Sequence, residues 1–238
     1  MKKSQLIYQY IREQGAVSKQ DIVIGLGLSL PTITQNLNNL AELGLIDTSK
    51  KISNTGGRNA TAYSYIEKAR YAVGLYLNRH HINCVAVDLS GNVISLIRVR
   101  ENFDLNDDNY LRKIGETVEE VKKDTGLSDD RFLGVGIAVQ GLISDDGERV
   151  TYGLTLNFTG VTRADIAKYI PYHNRLFHDS AAAGYAEVWD RNDLDDAFYL
   201  SLSNSVGGAV IVANKIFEGE RRKSGEIGHM TIIPKAGD

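Results

Sequence analysis

The stretch from Ser18 to Tyr65 constrains the fold most, because it sets two short helical patterns around a glycine turn and follows them with a basic hairpin. Ser18 is placed to N-cap a helix running through Ile24, since its hydroxyl can accept from a free N–H of the first turn. Gly25 and Gly27 bracket Leu26 and mark a tight turn. Ser29 caps a second helix, with Pro31 in its first turn, where a missing N–H costs little. Ile33, Leu37, Leu40 and Gly44 recur on one helical face. Pro31, Gln35, Asn38 and Glu42 fall on the opposite face, with Thr32 and Thr34 on its flanks. That surface is small, polar and nearly uncharged at its N-terminal end. It suits a helix that approaches base edges closely and reads adenine with an amide. The plain alternative is an amphipathic helix with a solvated face; the preceding helix and the following strands favour the first reading.

Leu45-Ile46 and Tyr63 to Ile66 read as strands, and the segment between them carries Lys50, Lys51, Gly56, Gly57 and Arg58. A basic, glycine-containing tip is a wing, with Arg58 able to enter the minor groove or hold a phosphate. Ahead of it, Leu6, Ile7, Tyr10 and Ile11 give the inner stripe of a helix over Ser4–Gln14, which Gly15 ends. Charge follows the same division. Residues 1–66 hold seven basic side chains (Lys2, Lys3, Arg12, Lys19, Lys50, Lys51, Arg58) and four acidic ones (Glu13, Asp21, Glu42, Asp47), 7 − 4 = +3, which leaves −3 − 3 = −6 for the rest. A basic head on an acidic body puts the attraction for phosphate on the helix-turn-helix.

After Glu67–Arg70 the period changes from helical to alternating. Tyr71–Asn78, His81–Leu89 and Asn92–Arg100 predict an antiparallel meander. A helix over Asn106–Thr125, an apolar strand at Arg131–Val139, a helix at Thr162–Ile170, a short strand at Arg175–His178 and a helix at Ser180–Trp189 follow. The order βββαβαβα is that of a ribonuclease-H-like lobe of actin-type ATPases and sugar kinases. A second strand set opens after Asp196, with a last strand expected at Thr231–Ile233. The predicted fold is therefore a winged helix-turn-helix (α+β, residues 1–68), an α/β actin-like lobe (69–194) and the beginning of a second lobe (195–238). With 238 residues, 42% of them hydrophobic, the chain can bury such cores. The single cysteine, Cys84, lies in the apolar run I-N-C-V-A-V and reads as a structural thiol. No stretch resembles a signal peptide or approaches the ~20 apolar residues of a membrane span, so the expected compartment is the cytoplasm and no membrane partner is expected.

Four segments, T-G-G-R at the wing, V-G-I-A-V-Q-G-L-I, H-D-S-A-A-A-G-Y-A-E and S-G-E-I-G-H-M, resemble the ROK family of repressors, open reading frames and kinases. The likeness is to its repressor branch, which includes xylose, N-acetylglucosamine and glucose-regulon repressors. The resemblance implies that Asp179 stands where the kinases keep a sugar-contacting catalytic base, with His178 replacing an asparagine. It assigns Glu226 and His229 to sugar hydroxyls, and Asn157 to a further sugar contact. Vicinal hydroxyls each offer a donor and acceptors, which carboxylates, imidazole and amide can satisfy together. Asp179 equally suits the N-cap of the alanine-rich helix, and Glu226 and His229 the surface of a hairpin. The family's zinc site would use His229 with three cysteines that follow it; none is present here, so no cofactor is expected in this chain, and zinc only in a longer form.

The sequence departs from the kinases at both phosphate loops. The first reads G-L-Y-L-N-R-H-H, without aspartate or Gly-Gly, and the second begins Ser203-Asn204-Ser205-Val206-Gly207-Gly208. The expectation is a sugar-responsive repressor that binds operator DNA as a homodimer or higher oligomer. Thr32, Thr34, Gln35 and Asn38 would read bases, Lys50, Lys51 and Arg58 would hold phosphate or the minor groove, and the lobe would sense sugar without catalysis. The alternatives are an ATP-dependent hexose kinase with a DNA-binding head, and a truncated remnant that binds DNA without sugar control. An incomplete second lobe would also expose apolar strand surface and favour self-association.

Overall fold

Ser18 organises the first turn of the helix that follows it as its sequence requires. Its hydroxyl accepts from Asp21 N at 3.2 Å while Asp21 Oδ2 accepts from Ser18 N at 2.8 Å, a reciprocal capping box. The two bonds to Ser18 also hold the Asp21 carboxyl below its usual range. In the computed structural model, which describes residues 2–52, 60–190, 195–202 and 205–230, the chain divides into two units, Met1–Arg70 and Tyr71–Asp238.

The first unit packs α1 (Lys3–Gln14), α2 (Lys19–Leu26) and α3 (Leu30–Glu42) around Ile7, Ile11, Ile22, Ile33 and Leu37. α2 runs two residues past Ile24, so Gly25 lies inside the helix and not in the turn. The Tyr10 ring occupies the space a side chain there would need. Gly27 makes the turn, as a left-handed cap with φ 62°. The strands β1 (Ile46–Asp47), β2 (Lys51–Ile52), β3 (Ala60–Thr61) and β4 (Ser64–Tyr65) form two antiparallel pairs, β1 with β4 and β2 with β3. Val17 and Tyr63 add reciprocal backbone bonds of 3.0 and 2.8 Å, tying the helix connection to the wing strands. The tip of the wing, with Gly56, Gly57 and Arg58, lies outside the described residues.

In the second unit β5 (Tyr71–Leu77), β6 (His81–Asp88) and β7 (Val93–Arg100) form the antiparallel meander. Next come α4 (Asp108–Asp124), β8 (Phe132–Val139), a hairpin of β9 (Leu142–Ile143) and β10 (Val150–Tyr152), α5 (Arg163–Ile166), β11 (Asn174–His178) and α6 (Asp179–Asp190). The sheet order is β11-β8-β5-β6-β7, with β8 parallel to β5 and β11 parallel to β8. α4 buries Tyr110, Leu111, Ile114, Val118 and Val121 as its periodicity requires. α5 stops a turn short of the predicted Ile170: Pro171 disfavours helical backbone before it, and Ile170 N bonds to Ala167 O in a tight turn instead. Cys84 is fully buried in β6, and burial pushes its thiol up to about 12.

A second sheet of β12 (Ala197–Leu202), β13 (Val206–Val212) and β14 (Lys215–Phe217) packs one face on α6, where Gly184 meets Ala209. Its other face carries Phe198, Leu200, Leu202, Val206 and Phe217, all exposed. The strand expected at Thr231–Ile233 lies outside the described residues.

Leu37 is 1% exposed at the centre of the first unit's core. Leu37→Ala should cost this unit about 2–5 kcal/mol, the range for truncating a buried leucine. Urea unfolding of residues 1–70, followed by far-ultraviolet circular dichroism, measures it.

Candidate functional site

In the first unit α3 turns Ile33, Leu37 and Leu40 inward and leaves Pro31, Gln35, Asn38, Asn39 and Glu42 exposed. Thr32 and Thr34 are half-buried on the flanks. Ser29 does not cap through its side chain: its hydroxyl pairs with Thr32 Oγ1 at 2.9 Å, and Asn36 Nδ2 donates to Thr32 O at 2.8 Å. Thr32 is thus held in the helix start. The amides of Gln35 and Asn38, with Asn39 in addition, stand on the outer face. Lys50 and Lys51 are exposed at the start of the wing.

In the second unit the glycines of S-G-E-I-G-H decide the geometry. A side chain on Gly225 would overlap the Gly208 carbonyl oxygen, and one on Gly228 the Val206 carbonyl oxygen. The segment therefore lies flat against β13, and its short 3-10 turn at Ile227–His229 presents Glu226 and His229 toward the end of β11. There His178 Nε2 is 3.5 Å from Glu226 Oε1 and 3.6 Å from Asp179 Oδ1, and His229 Nε2 is 3.7 Å from Glu226 Oε2. Asp179, His178, Glu226 and His229 form one chain of alternating carboxylate and imidazole. Asp179 is the first residue of α6 and also accepts from Ser180 N at 2.7 Å.

A cleft of about 700 Å3 opens beside this chain. The β9–β10 hairpin supplies Asp145, Thr151 and Tyr152 to its wall, and the last turn supplies Lys223, Glu226 and His229. Tyr152 and His229 face each other edge-on, ring centres 6.5 Å apart. Asp179 and His178 reach the cleft only through Glu226 and do not line it. Asn157 lies apart from the cluster, exposed on a turn with φ 53°, a backbone that asparagine tolerates better than most residues.

The stretch that replaces the first phosphate loop is closed on itself. Asn78 Oδ1 accepts from both His80 N at 3.1 Å and His81 N at 2.9 Å, and Arg79 Nη2 donates to Thr155 O at 2.9 Å. Two amides at this turn that could face a phosphate are thus already bonded. Tyr76, on the same strand, accepts from Gln140 Nε2 at 3.3 Å and comes within hydrogen-bonding reach of Asp179. Burial, and then the Asp179 charge, push its phenol above the ordinary tyrosine value, so it stays protonated and can donate.

The sequence model of the ROK family matches residues 72–237. The chain belongs to the ROK family. Among curated relatives, the xylose repressor of Bacillus subtilis (strain 168) is 24% identical over 95% of this chain and 59% of its own length. Among solved structures, a ROK family transcriptional regulator, homologue of the Escherichia coli MLC protein, superposes with a TM-score of 0.77 at 20% identity, over 98% of this chain and 59% of that one. A ROK hexokinase from Thermus thermophilus superposes with a TM-score of 0.56 at 22% identity, over 70% of this chain and 56% of that one. This chain therefore spans about three fifths of the length of the curated relatives it matches. The regulator's likeness extends through the winged-helix unit, which establishes the two-part fold; the hexokinase shares the lobe.

Cys84 is the only cysteine, it is buried in β6, and among the described residues no three His, Cys, Asp or Glu side chains are arranged to hold a metal. His229 alone is no zinc site. Sequence reasoning missed Tyr76, Gln140 and Tyr152. For Tyr152 a signal existed in Ser144-Asp145-Asp146-Gly147, a turn sequence that predicts the β9–β10 hairpin. For Tyr76 none did, because its role comes from the parallel neighbour β8 and the start of α6.

Tyr76→Phe keeps the ring and removes only the hydroxyl. It should lower stability by about 1 kcal/mol, the net worth of one hydrogen bond, and this loss should shrink in a Gln140→Leu background, where only the contact with Asp179 is left to lose. Thermal unfolding of the four variants of this double-mutant cycle reads the coupling.

Proposed function

We propose that this ROK protein is a sugar-responsive transcriptional repressor. The observation that carries the reading is the combination, in one chain, of a winged-helix unit with an exposed amide face and a lobe that keeps the carboxylate–imidazole cluster while its first phosphate turn is bonded to itself. The likeness to repressors over both parts supports it. In this reading Gln35, Asn38 and the flanking Thr34 and Thr32 contact base edges in the major groove, and Lys50, Lys51 and Arg58 hold phosphates or the minor groove. Two copies would engage a palindromic operator in the cytoplasm. A sugar held in the cleft by Glu226 and His229, with His178 and Asp179 orienting Glu226 from behind, would favour one conformation of the protein and so change its affinity for DNA. The retained Asp179 is what favours the second reading, a ROK hexose kinase.

Two experiments test this. On duplexes selected from a random library, Gln35→Ala should relax preference at one base position by about 1–3 kcal/mol, whereas Lys51→Ala should weaken all sequences alike and reduce the salt slope by about one. Unchanged affinity and preference in Gln35→Ala would displace the reading face from α3. Separately, a panel of pentoses and hexoses should contain one that raises the melting temperature of the wild type and not of Glu226→Ala. No member should support ADP formation from ATP above background. Turnover would establish the kinase. A sugar that binds without altering DNA affinity would mean that DNA binding is not under sugar control.

A further inference from the structure

The reading face of α3 is described above by its polar groups, but its first residue is apolar and outside the core. Leu30 is 51% exposed, whereas Ile33, Leu37 and Leu40 on the same helix are 0%, 1% and 4% exposed. Its neighbours in the preceding turn, Leu26 and Leu28, fold onto the core of the unit; Leu30 does not join them. Pro31 beside it is exposed as well, and no acidic residue lies in the first turn of α3. The hydroxyls nearest to Leu30 in sequence, those of Ser29 and Thr32, are bonded to one another at 2.9 Å. The leading end of the helix therefore offers a hydrocarbon surface with its polar groups turned to each other.

We propose that Leu30 is a base-reading residue, and that it recognises the 5-methyl group of a thymine in the major groove. This inference rests on the DNA-binding reading given above. The N-terminal residues of a recognition helix are the ones that meet base edges. Among the groups displayed in the major groove, the thymine methyl is the apolar one; the others are hydrogen-bond donors and acceptors. An exposed leucine at this position gains nothing against adenine N7, guanine O6 or cytosine N4, and would strip water from them without replacing it. Against a methyl group it buries apolar surface on both sides. The contact distinguishes thymine from the other three bases without a hydrogen bond, and it adds to the amide contact of Gln35, five residues on in the same helix.

Deoxyuridine differs from thymidine at the base only by that methyl group, so it isolates the contact. Duplexes recovered by selection with the full chain from a random library are resynthesised with each thymine replaced in turn by uracil, and affinity is measured by fluorescence anisotropy at fixed salt. At one position in each half-site the replacement should weaken wild-type binding about fourfold, the effect of losing one buried methyl group. Leu30→Ala should bind the thymine and uracil duplexes equally at that position while keeping the wild-type response elsewhere. Leu30→Met, which keeps an apolar side chain of similar length, should retain the discrimination. Wild-type indifference to every replacement, or an unchanged thymine preference in Leu30→Ala, overturns the assignment. If the wild type enriches no duplex at all, the DNA-binding reading falls and takes this inference with it, a result distinct from selection without methyl dependence.

Discussion

The cleft depends on the close approach of two backbones. The turn bearing Glu226 and His229 lies on β13 with no room for a Cβ at Gly225 or Gly228. That contact costs side-chain packing, but it fixes the height at which the Glu226 and His229 side chains stand above the sheet. Held any farther away, Glu226 would lose His178, and the carboxylate–imidazole chain would break into separate surface residues. The glycines of the motif are positioning residues, and the polar residues between them are useful because of where the glycines put them.

At the same end of the sheet as Asp179, the turn that follows β5 is closed by its own side chain. The meander β5–β6–β7 needs a tight turn between its first two strands, whatever that turn does chemically. Here Asn78 supplies the closure by accepting two backbone N–H groups, so the turn is satisfied internally and needs no bound anion to order it. Tyr76, itself accepting from Gln140, is a neutral hydroxyl partner for Asp179.

Much of this was legible in the sequence, and the reasons for the exceptions are local. Ile33, Leu37 and Leu40 declared the inner face of α3 because a helix buried on one side repeats its apolar residues at helical spacing. The meander and the apolar β8 followed from alternation and from a continuous hydrophobic run. Gly25 was misread because glycine marks both turns and close helix contacts, and only the Tyr10 ring, fifteen positions earlier, decides between them. The wing pair β2–β3 and the bridge from Val17 to Tyr63 were not legible, since strands of two residues carry no period. In the site, Glu226 and His229 were found through their motif. Their meeting with His178, and the roles of Tyr76 and Tyr152, needed strands that lie far apart in the chain to be set side by side.

The solitary Cys84 has a practical consequence. Its sulfur is fully buried at the middle of β6, and its thiol is held protonated far into the alkaline range, so alkylating reagents can reach it only when the five-stranded sheet opens. The winged-helix unit contains no thiol. The rate at which a single label enters this chain is therefore a clock for one structural event, the opening of the lobe that carries Asp179.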